Sequence, residues 1–401
     1  MPSHRFDCSV LILTSASLGL CAASLASPTT PPGKFGLAFW QPMPGPMPLP
    51  VFDAAAAAIG DEIVLIGGVT QTLEATPAIQ RRHPIHGWLP IGSNLLETRA
   101  RPSLTPLPHG RWLVLGGWSG TWGADATPRD DGETLDPLIA GSSIAITPWG
   151  ESLEGHTATP LPDGRVAVVC GCTLRIFDPV RRDWTLEIEL ARERHQHAVA
   201  LTGWMLVLAG GDEEGSIESI LLSSHRPHAE LWDERLPAPL RSSSAIALDE
   251  RFAFVVGGID QREGRTTDAT WVLDTARRQI RALPALELAR GACDVTLLAH
   301  PRGVLAVGGE WRDGAARGSA DVAMLLRPLA HDGKRQWSLP ANAAPRHFAR
   351  RVVVCRADGS IEVLGGYRFI APYDVAPNQQ AGVVVDDSGQ RLIVDADGVA
   401  D

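Results

Sequence analysis

Seven short apolar runs carry the fold of this chain: IVLIGG at 63–68, WLVLGG at 112–117, VAVVCGC at 166–172, MLVLAGG at 205–211, FAFVVGG at 252–258, VLAVGG at 304–309 and IEVLGG at 361–366. Six of them end in paired glycine, and the third keeps Gly171 but has Cys172 in the second place. The first glycines stand at 67, 116, 171, 210, 257, 308 and 365, so the steps between them are 49, 55, 39, 47, 51 and 57 residues. One Gly-Gly says nothing about structure; seven in period mark a supersecondary unit used seven times.

Working outward, each run is preceded by a tight turn: AIGDE, PHGR, PDGR, LTGW, LDER, HPRG and ADGS in chain order. Asp-Gly and related pairs between two strand-like segments are hairpin turns. A variable loop follows each doublet, and then a third strand and often a fourth. The shortest repeat shows this best, with Phe177 and Trp184 on either side of an Asp-Pro turn in LRIFDPVRRDW. Four short antiparallel strands cannot bury both faces alone, so the copies must stack, and radial stacking protects their edges. The expectation is an all-β, seven-bladed propeller of four-stranded blades over residues 51–396, with six blades as the alternative. Paired glycines suit the place where neighbouring backbones crowd a buried strand, because a Cβ would not fit there. Two segments compete to close the ring, residues 36–43 and Arg391–Val394. The loops at 69–84 and 118–141 are long and rich in Gly, Pro and Thr.

Composition agrees. Forty glycines and 31 prolines favour turns over helices, and a hydrophobic fraction of 44% supplies a core. A formal charge of −10 argues against nucleic acid as the partner. The first 26 residues read as a secretory leader: His4 and Arg5, an apolar run from Val10 to Leu25, and the small-x-small site Ser24-Leu25-Ala26. Residues 27–50 form a lead-in. Later stretches are too short to span a bilayer as a helix, so the expected location is the periplasm or the medium. Cys170, Cys172, Cys293 and Cys355 remain after cleavage; they read as small buried strand residues, although an exported chain can pair some of them.

The seven doublets with their upstream turns resemble the kelch family. In kelch domains the rim made by inner-strand starts and adjoining loops commonly binds ligands. Counting back from the glycines brings Val51, Ala100, Gly155, Arg194, Arg241, Arg290 and Arg346 to one position, followed by Phe52, Arg101, His156, His195, Ser242, Gly291 and His347. The rim residues singled out are therefore Arg101, His156, Arg194, His195, Arg241, Arg290, Arg346 and His347. Guanidinium groups there suit a carboxylate, sulfate or phosphate. They equally suit ion pairs between repeats, and the two readings stay open. Trp118 and Trp122, close together in a long loop, suit sugar stacking or protein contact, or packing beneath the loop.

No nucleophile, phosphate loop or metal signature is present, and no cofactor is expected. His195 and His197 are spaced to share a strand face, but no third ligand is placed beside them. Galactose-oxidase-like copper chemistry needs two tyrosines and two histidines, whereas Tyr367 and Tyr373 fall in one loop with no adjoining histidine. The leader, the length and the lead-in PMPLPVFDAAAAAIGDEIVLIGG resemble the exported sialic acid mutarotases. That resemblance implies arginine anchors for a sugar carboxylate and a histidine among His156, His195 and His347 to move a proton. The favoured reading is a non-catalytic module for a glycan, peptide or protein, anionic ligands included; mutarotase-like chemistry is the alternative.

Overall fold

The computed structural model describes residues 12–13, 38–123, 125–286, 291–300, 303–314, 316–328, 335–338, 350–356, 360–370 and 382–394. Arg290, Arg346 and His347, and all of the leader except Ile12–Leu13, lie outside the described residues. Apart from one 3-10 turn at Pro108–Gly110, the regular elements are β-strands.

Each doublet sits in its own antiparallel sheet, which grows outward from an inner strand. The second repeat pairs Ser103–Pro106, Trp112–Leu115, Gly132–Leu135 and Ile144–Ala145 in that order. The fourth repeats the plan with Ala198–Thr202, Met205–Ala209, Ser216–Leu221 and Ala229–Arg235; the fifth does so with Ser244–Ala247, Phe252–Val256, Thr270–Asp274 and Gln279–Leu283. The sixth has Thr296–His300, Gly303–Asp313, Ala316–Pro328 and Arg335–Ser338. In the first, Ala55–Ile59, Glu62–Ile66 and Ala78–His83 are followed by the short pieces Gly87–Trp88 and Ser93–Asn94, and Ile12–Leu13 pairs with Ala57 and Ala56.

The seventh sheet answers the closure question. Its order is Val352–Cys355, Ile361–Leu364, Gly389–Val394 and then Ala38–Pro42. Both competing segments are used: Arg391–Val394 lies in the third strand, and the N-terminal segment pairs with it as the fourth, Trp40 opposite Leu392. The long loops of the sequence reading are also partly strand. Ala78–His83 is the third strand of its repeat, and Trp118–Ser119 forms a hairpin with Thr127–Pro128 before Gly132–Leu135 begins.

Seven apolar clusters join the sheets in chain order. One lies between the first and second repeats (Val64, Ile66, Leu104, Val114), and the last lies between the seventh and the first (Val352, Leu364, Leu65, Val51). The other five fill the remaining junctions. The chain is thus a kelch-like β-propeller. This packing explains the unbroken apolar runs: a sheet covered on both faces buries every residue of its second strand, so the usual alternation disappears. Glu62–Ile66, Trp112–Leu115 and Phe252–Val256 are buried almost throughout. The inner strands are built of smaller residues, AAAAI and SAIA among them, because sectors narrow toward the axis.

The glycine pairs have a specific task. At Gly257, φ is +61° and a Cβ would stand 2.2 Å from the carbonyl oxygen of Ala292, which leads into the next repeat. The following residue, Gly258, donates its N–H to that same oxygen at 2.8 Å. Gly68 holds Arg99 O at 2.8 Å, Gly211 holds Leu240 O at 2.7 Å and Gly366 holds Val51 O at 3.2 Å in the same way. At Gly171, where the pair is broken by Cys172, a Cβ would meet nothing within 4 Å. There Val166–Asp178 runs on as one strand, pairing first with Thr157–Pro160 and then with Asp183–Arg194. It ends at the Asp178 turn with Phe177 opposite Trp184.

This difference is testable. Gly171→Ala is expected to cost only left-handed strain, about 1 kcal/mol. Gly257→Ala must also push away the Ala292 carbonyl and is expected to cost about 3 kcal/mol or more. Urea unfolding of the two variants checks the contrast, and equal losses would remove the proposed role of the doublets.

Candidate functional site

The carbonyls gripped by the glycine pairs belong to Val51, Arg99, Leu240 and Ala292. Two residues further on in each case stand Asp53, Arg101, Ser242 and Asp294, all in the left-handed region with φ between 51° and 53°. Gly155, Gln196 and Arg350 occupy the same place in the other repeats, with φ of 68°, 53° and 51°. These seven residues form a ring at one mouth of the channel. Backbone hydrogen bonds run around it: Arg101 N–H to Asp53 O at 2.7 Å, Gln196 N–H to Gly155 O at 3.0 Å, Ser242 N–H to Gln196 O at 2.7 Å and Asp294 N–H to Ser242 O at 3.0 Å. Left-handed backbone is costly for a residue with a side chain and persists only where its surroundings impose it; here the ring hydrogen bonds do so.

A cavity of about 310 Å³ opens over this ring. Six of the seven ring residues line it, Arg101, Gly155, Gln196, Ser242, Asp294 and Arg350, and Trp118 and Trp122 form an aromatic wall. Trp122 is anchored edge-on against Phe52 and Tyr367, each at 5.2 Å between ring centroids. Trp118 is fixed through its backbone, which exchanges hydrogen bonds with Ala100 at 2.8 and 2.9 Å. Both rings remain partly exposed.

Ion pairs tie the ring together. Arg350 reaches Asp53 at 2.6 Å and Glu310 at 3.0 Å, and the Tyr367 hydroxyl donates to Glu310 at 3.2 Å. Burial would raise the Glu310 carboxyl, but Arg350, Arg312 and Arg101 hold it below the usual carboxylate range. Burial, reinforced by Glu310 and Asp53, pushes the Tyr367 hydroxyl up to about 12. Arg101 spans the mouth: its guanidinium is 3.8 Å from Asp53 and 3.5 Å from Asp294, a residue of the sixth repeat. Burial raises the Asp294 carboxyl above the usual range, against the pull of Arg101.

Two imidazoles complete the wall. His156 is buried, with Nδ1 2.6 Å from Leu153 O and Nε2 2.8 Å from Ser103 Oγ. His197 is buried with Nε2 2.8 Å from Thr157 Oγ1, and its Nδ1 has no partner among the described residues. Burial lowers their pKa values to about 4 and about 3, so both are neutral at physiological pH.

Several sequence expectations are corrected by this arrangement. Arg194 does not reach the rim. It is fully buried and spends its donors on Glu218 Oε1 (2.7 and 3.0 Å), Gly210 O (2.6 Å), Ser216 O (3.0 Å) and Ser216 Oγ (2.7 Å). Arg99, which the register count overlooked, does the same work in the second repeat, with bonds to Gly116 O and Asp131. Arg241 is exposed and outside the cavity lining. His195 is exposed beside Glu193 while His197 is buried, because the left-handed turn at Gln196 separates them; they share no face. His83 and His86 stack on each other in a turn, and His225 and His228 are surface residues. Of the rim residues first singled out, Arg101 and His156 line the cavity, as do Trp118 and Trp122. Sequence reading missed Asp53, Gln196, Asp294 and Arg350. The positive rim it expected is balanced, with Asp53, Asp294 and Glu310 standing among Arg101, Arg312 and Arg350.

Among the described residues, Cys293, Asp294 and Glu310 are the one group of three side chains close enough to share a metal ion. Three guanidinium groups surround them, which opposes a cation. Among the described residues, Cys172 is exposed, Cys170, Cys293 and Cys355 are buried, and all four are free.

No protein-family model and no curated protein matches the sequence. Solved structures do match the fold. One is titled "Structure of YjhT", with 13% identity and a TM-score of 0.52, covering 73% of this chain and 99% of that one. Another is described as a fungal alcohol oxidase of the AA5 family in complex with copper, with 15% identity and a TM-score of 0.62, covering 92% of this chain and 78% of that one. Both likenesses concern the fold. Among the described residues, both His156 nitrogens are engaged and the Tyr367 hydroxyl donates to Glu310.

Two outcomes are expected. Arg194→Met leaves Glu218 charged, buried and unpaired, so it should cost about 3–5 kcal/mol in chemical unfolding while ligand binding at the mouth is unchanged. The neutral histidines also predict a pH dependence. The unfolded chain takes up protons near pH 6.5 that the folded chain refuses until about pH 4 or 3. Their contribution is therefore complete above pH 6.5 and is lost on acidification, at up to about 1.4 kcal/mol per pH unit for each residue. Unfolding titrations between about pH 6 and pH 5 should show these residues adding up to about two protons to the slope, reduced by about one in His197→Asn.

Proposed function

We propose that this chain is an exported seven-bladed propeller that acts as a binding module, and that its ligand is a saccharide seated in the cavity over the ring. The observation that carries this is the pairing of an aromatic wall, Trp118 and Trp122, with a floor of donors and acceptors drawn from several repeats. A cavity of about 310 Å³ is at the small end of ligand sites, which suits one or two sugar rings better than a folded partner. Tryptophan faces take the C–H face of a sugar while fixed polar groups read its hydroxyls.

The test is a glycan panel read by intrinsic tryptophan fluorescence and repeated with Trp118→Ala. Binding to one or more glycans, weakened about tenfold by the substitution, supports the reading. Capture of a polypeptide with no glycan bound overturns it. A second reading, mutarotase-like chemistry, is favoured by one feature: His197 offers an unpartnered ring nitrogen at the cavity and stays neutral. Acceleration of anomer exchange, followed by NMR and lost in His197→Asn, would make the chain an enzyme.

A further inference from the structure

The guanidinium groups near the ring differ in how far they are satisfied. Arg350 is 10% exposed and makes short bonds to Asp53 and Glu310, at 2.6 and 3.0 Å. Arg101 is 22% exposed, its contacts to Asp53 and Asp294 are long at 3.8 and 3.5 Å, and it lines the cavity. A guanidinium has five N–H donors, so Arg101 holds most of its capacity in reserve. Facing it is Asp294, whose Oδ1 takes the long contact and whose buried Oδ2 has no partner among the described residues. A buried carboxylate oxygen left without a donor is costly. The mouth therefore offers unspent Arg101 donors next to the Asp294 carboxylate, whose Oδ1 holds only one long contact, beside an indole wall.

We propose that Arg101 and Asp294 together hold adjacent hydroxyl groups of an uncharged sugar ring, whose apolar face rests on Trp118. This rests on the saccharide reading above and narrows it to neutral sugars. A hydroxyl is donor and acceptor at once: its oxygen takes an Arg101 N–H while its proton goes to Asp294 Oδ1, the carboxylate oxygen on the Arg101 side. A neighbouring hydroxyl on the ring repeats the arrangement with the second arm of the guanidinium. A carboxylate ligand fits less well. Arg350 is already paired with Asp53 and Glu310, and the ligand would approach Asp294 with Glu154 also in the lining. Like charges in a partly buried mouth repel strongly.

The experiment is ligand-observed NMR of the purified chain with methyl glycosides of neutral hexoses and, separately, N-acetylneuraminic acid. A neutral glycoside should bind and the acid should not. Arg101→Gln and Asp294→Ala should each weaken the neutral glycoside by about tenfold or more, the worth of a charge-assisted hydrogen bond. Asp294→Asn, nearly isosteric and kept as a control for folding, should narrow the discrimination against the acid. Tighter binding of the acid by the unmodified chain overturns the inference and leaves the saccharide reading standing. Neutral binding that ignores both Arg101→Gln and Asp294→Ala also overturns it. If neither class binds, the saccharide reading itself falls.

Discussion

One carbonyl in each of four junctions organises this molecule. Where the doublet is intact and reaches forward, as at Gly67-Gly68, Gly210-Gly211, Gly257-Gly258 and Gly365-Gly366, the first glycine lets the entering carbonyl of the next repeat come within the space of a missing Cβ, and the second donates a hydrogen bond to it. The contact is short because no side chain intervenes, and it fixes the height at which the next inner strand begins. The last of these grips, Gly366 on Val51, crosses from the seventh repeat to the first. Together with the strand Ala38–Pro42 it closes the ring by two independent backbone contacts, one near the axis and one at the outer edge.

The functional mouth is a consequence of that grip. Where the carbonyl two residues earlier is held, before Asp53, Arg101, Ser242 and Asp294, the chain has little room to turn into the inner strand, and it turns through a left-handed conformation there as at Gly155, Gln196 and Arg350. The strain is shared out among ring hydrogen bonds and among ion pairs that include Arg350 to Asp53 and Glu310. Such strained positions sit where the surrounding structure overdetermines them. Rigid elements thus position the floor of the cavity, while the wall with Trp118 and Trp122 comes from a loop pinned to Ala100 and to the Phe52–Tyr367 aromatic pair.

Much of the fold was legible because its signals are local: the doublets, the upstream turns of the first five repeats and the Phe177–Trp184 hairpin all fall where the strands require them. The closing strand was only half legible, since nothing in Trp40 or Leu392 says that the two pair with each other and do not compete. The site was legible in its position and largely illegible in its residues. The ring residues share a backbone conformation, and Asp53, Gln196 and Arg350 have no side-chain chemistry in common. Counting back from the glycines found Arg101, Gly155 and Ser242 but slipped by one or more residues elsewhere, because the inner hairpin turns differ in length. Only the sign of φ unites the set, and sequence does not display it.

Arg99 and Arg101 show how much depends on that sign. They stand two residues apart in one segment and would be read alike by composition or charge. Arg99 belongs to the gripped residue, so its side chain turns into its own repeat, is buried, and satisfies Gly116 O and Asp131. Arg101 occupies the left-handed position, so its side chain turns to the axis, stays partly exposed and reaches toward Asp294 of the sixth repeat. The first guanidinium completes a sheet junction and the second is left with donors to spend. Backbone geometry therefore gives the two arginines different surroundings, one buried in a sheet junction and one partly exposed at the cavity. With Asp53, Asp294 and Glu310 gathered around the second, its positive charge is balanced by carboxylates on the same rim.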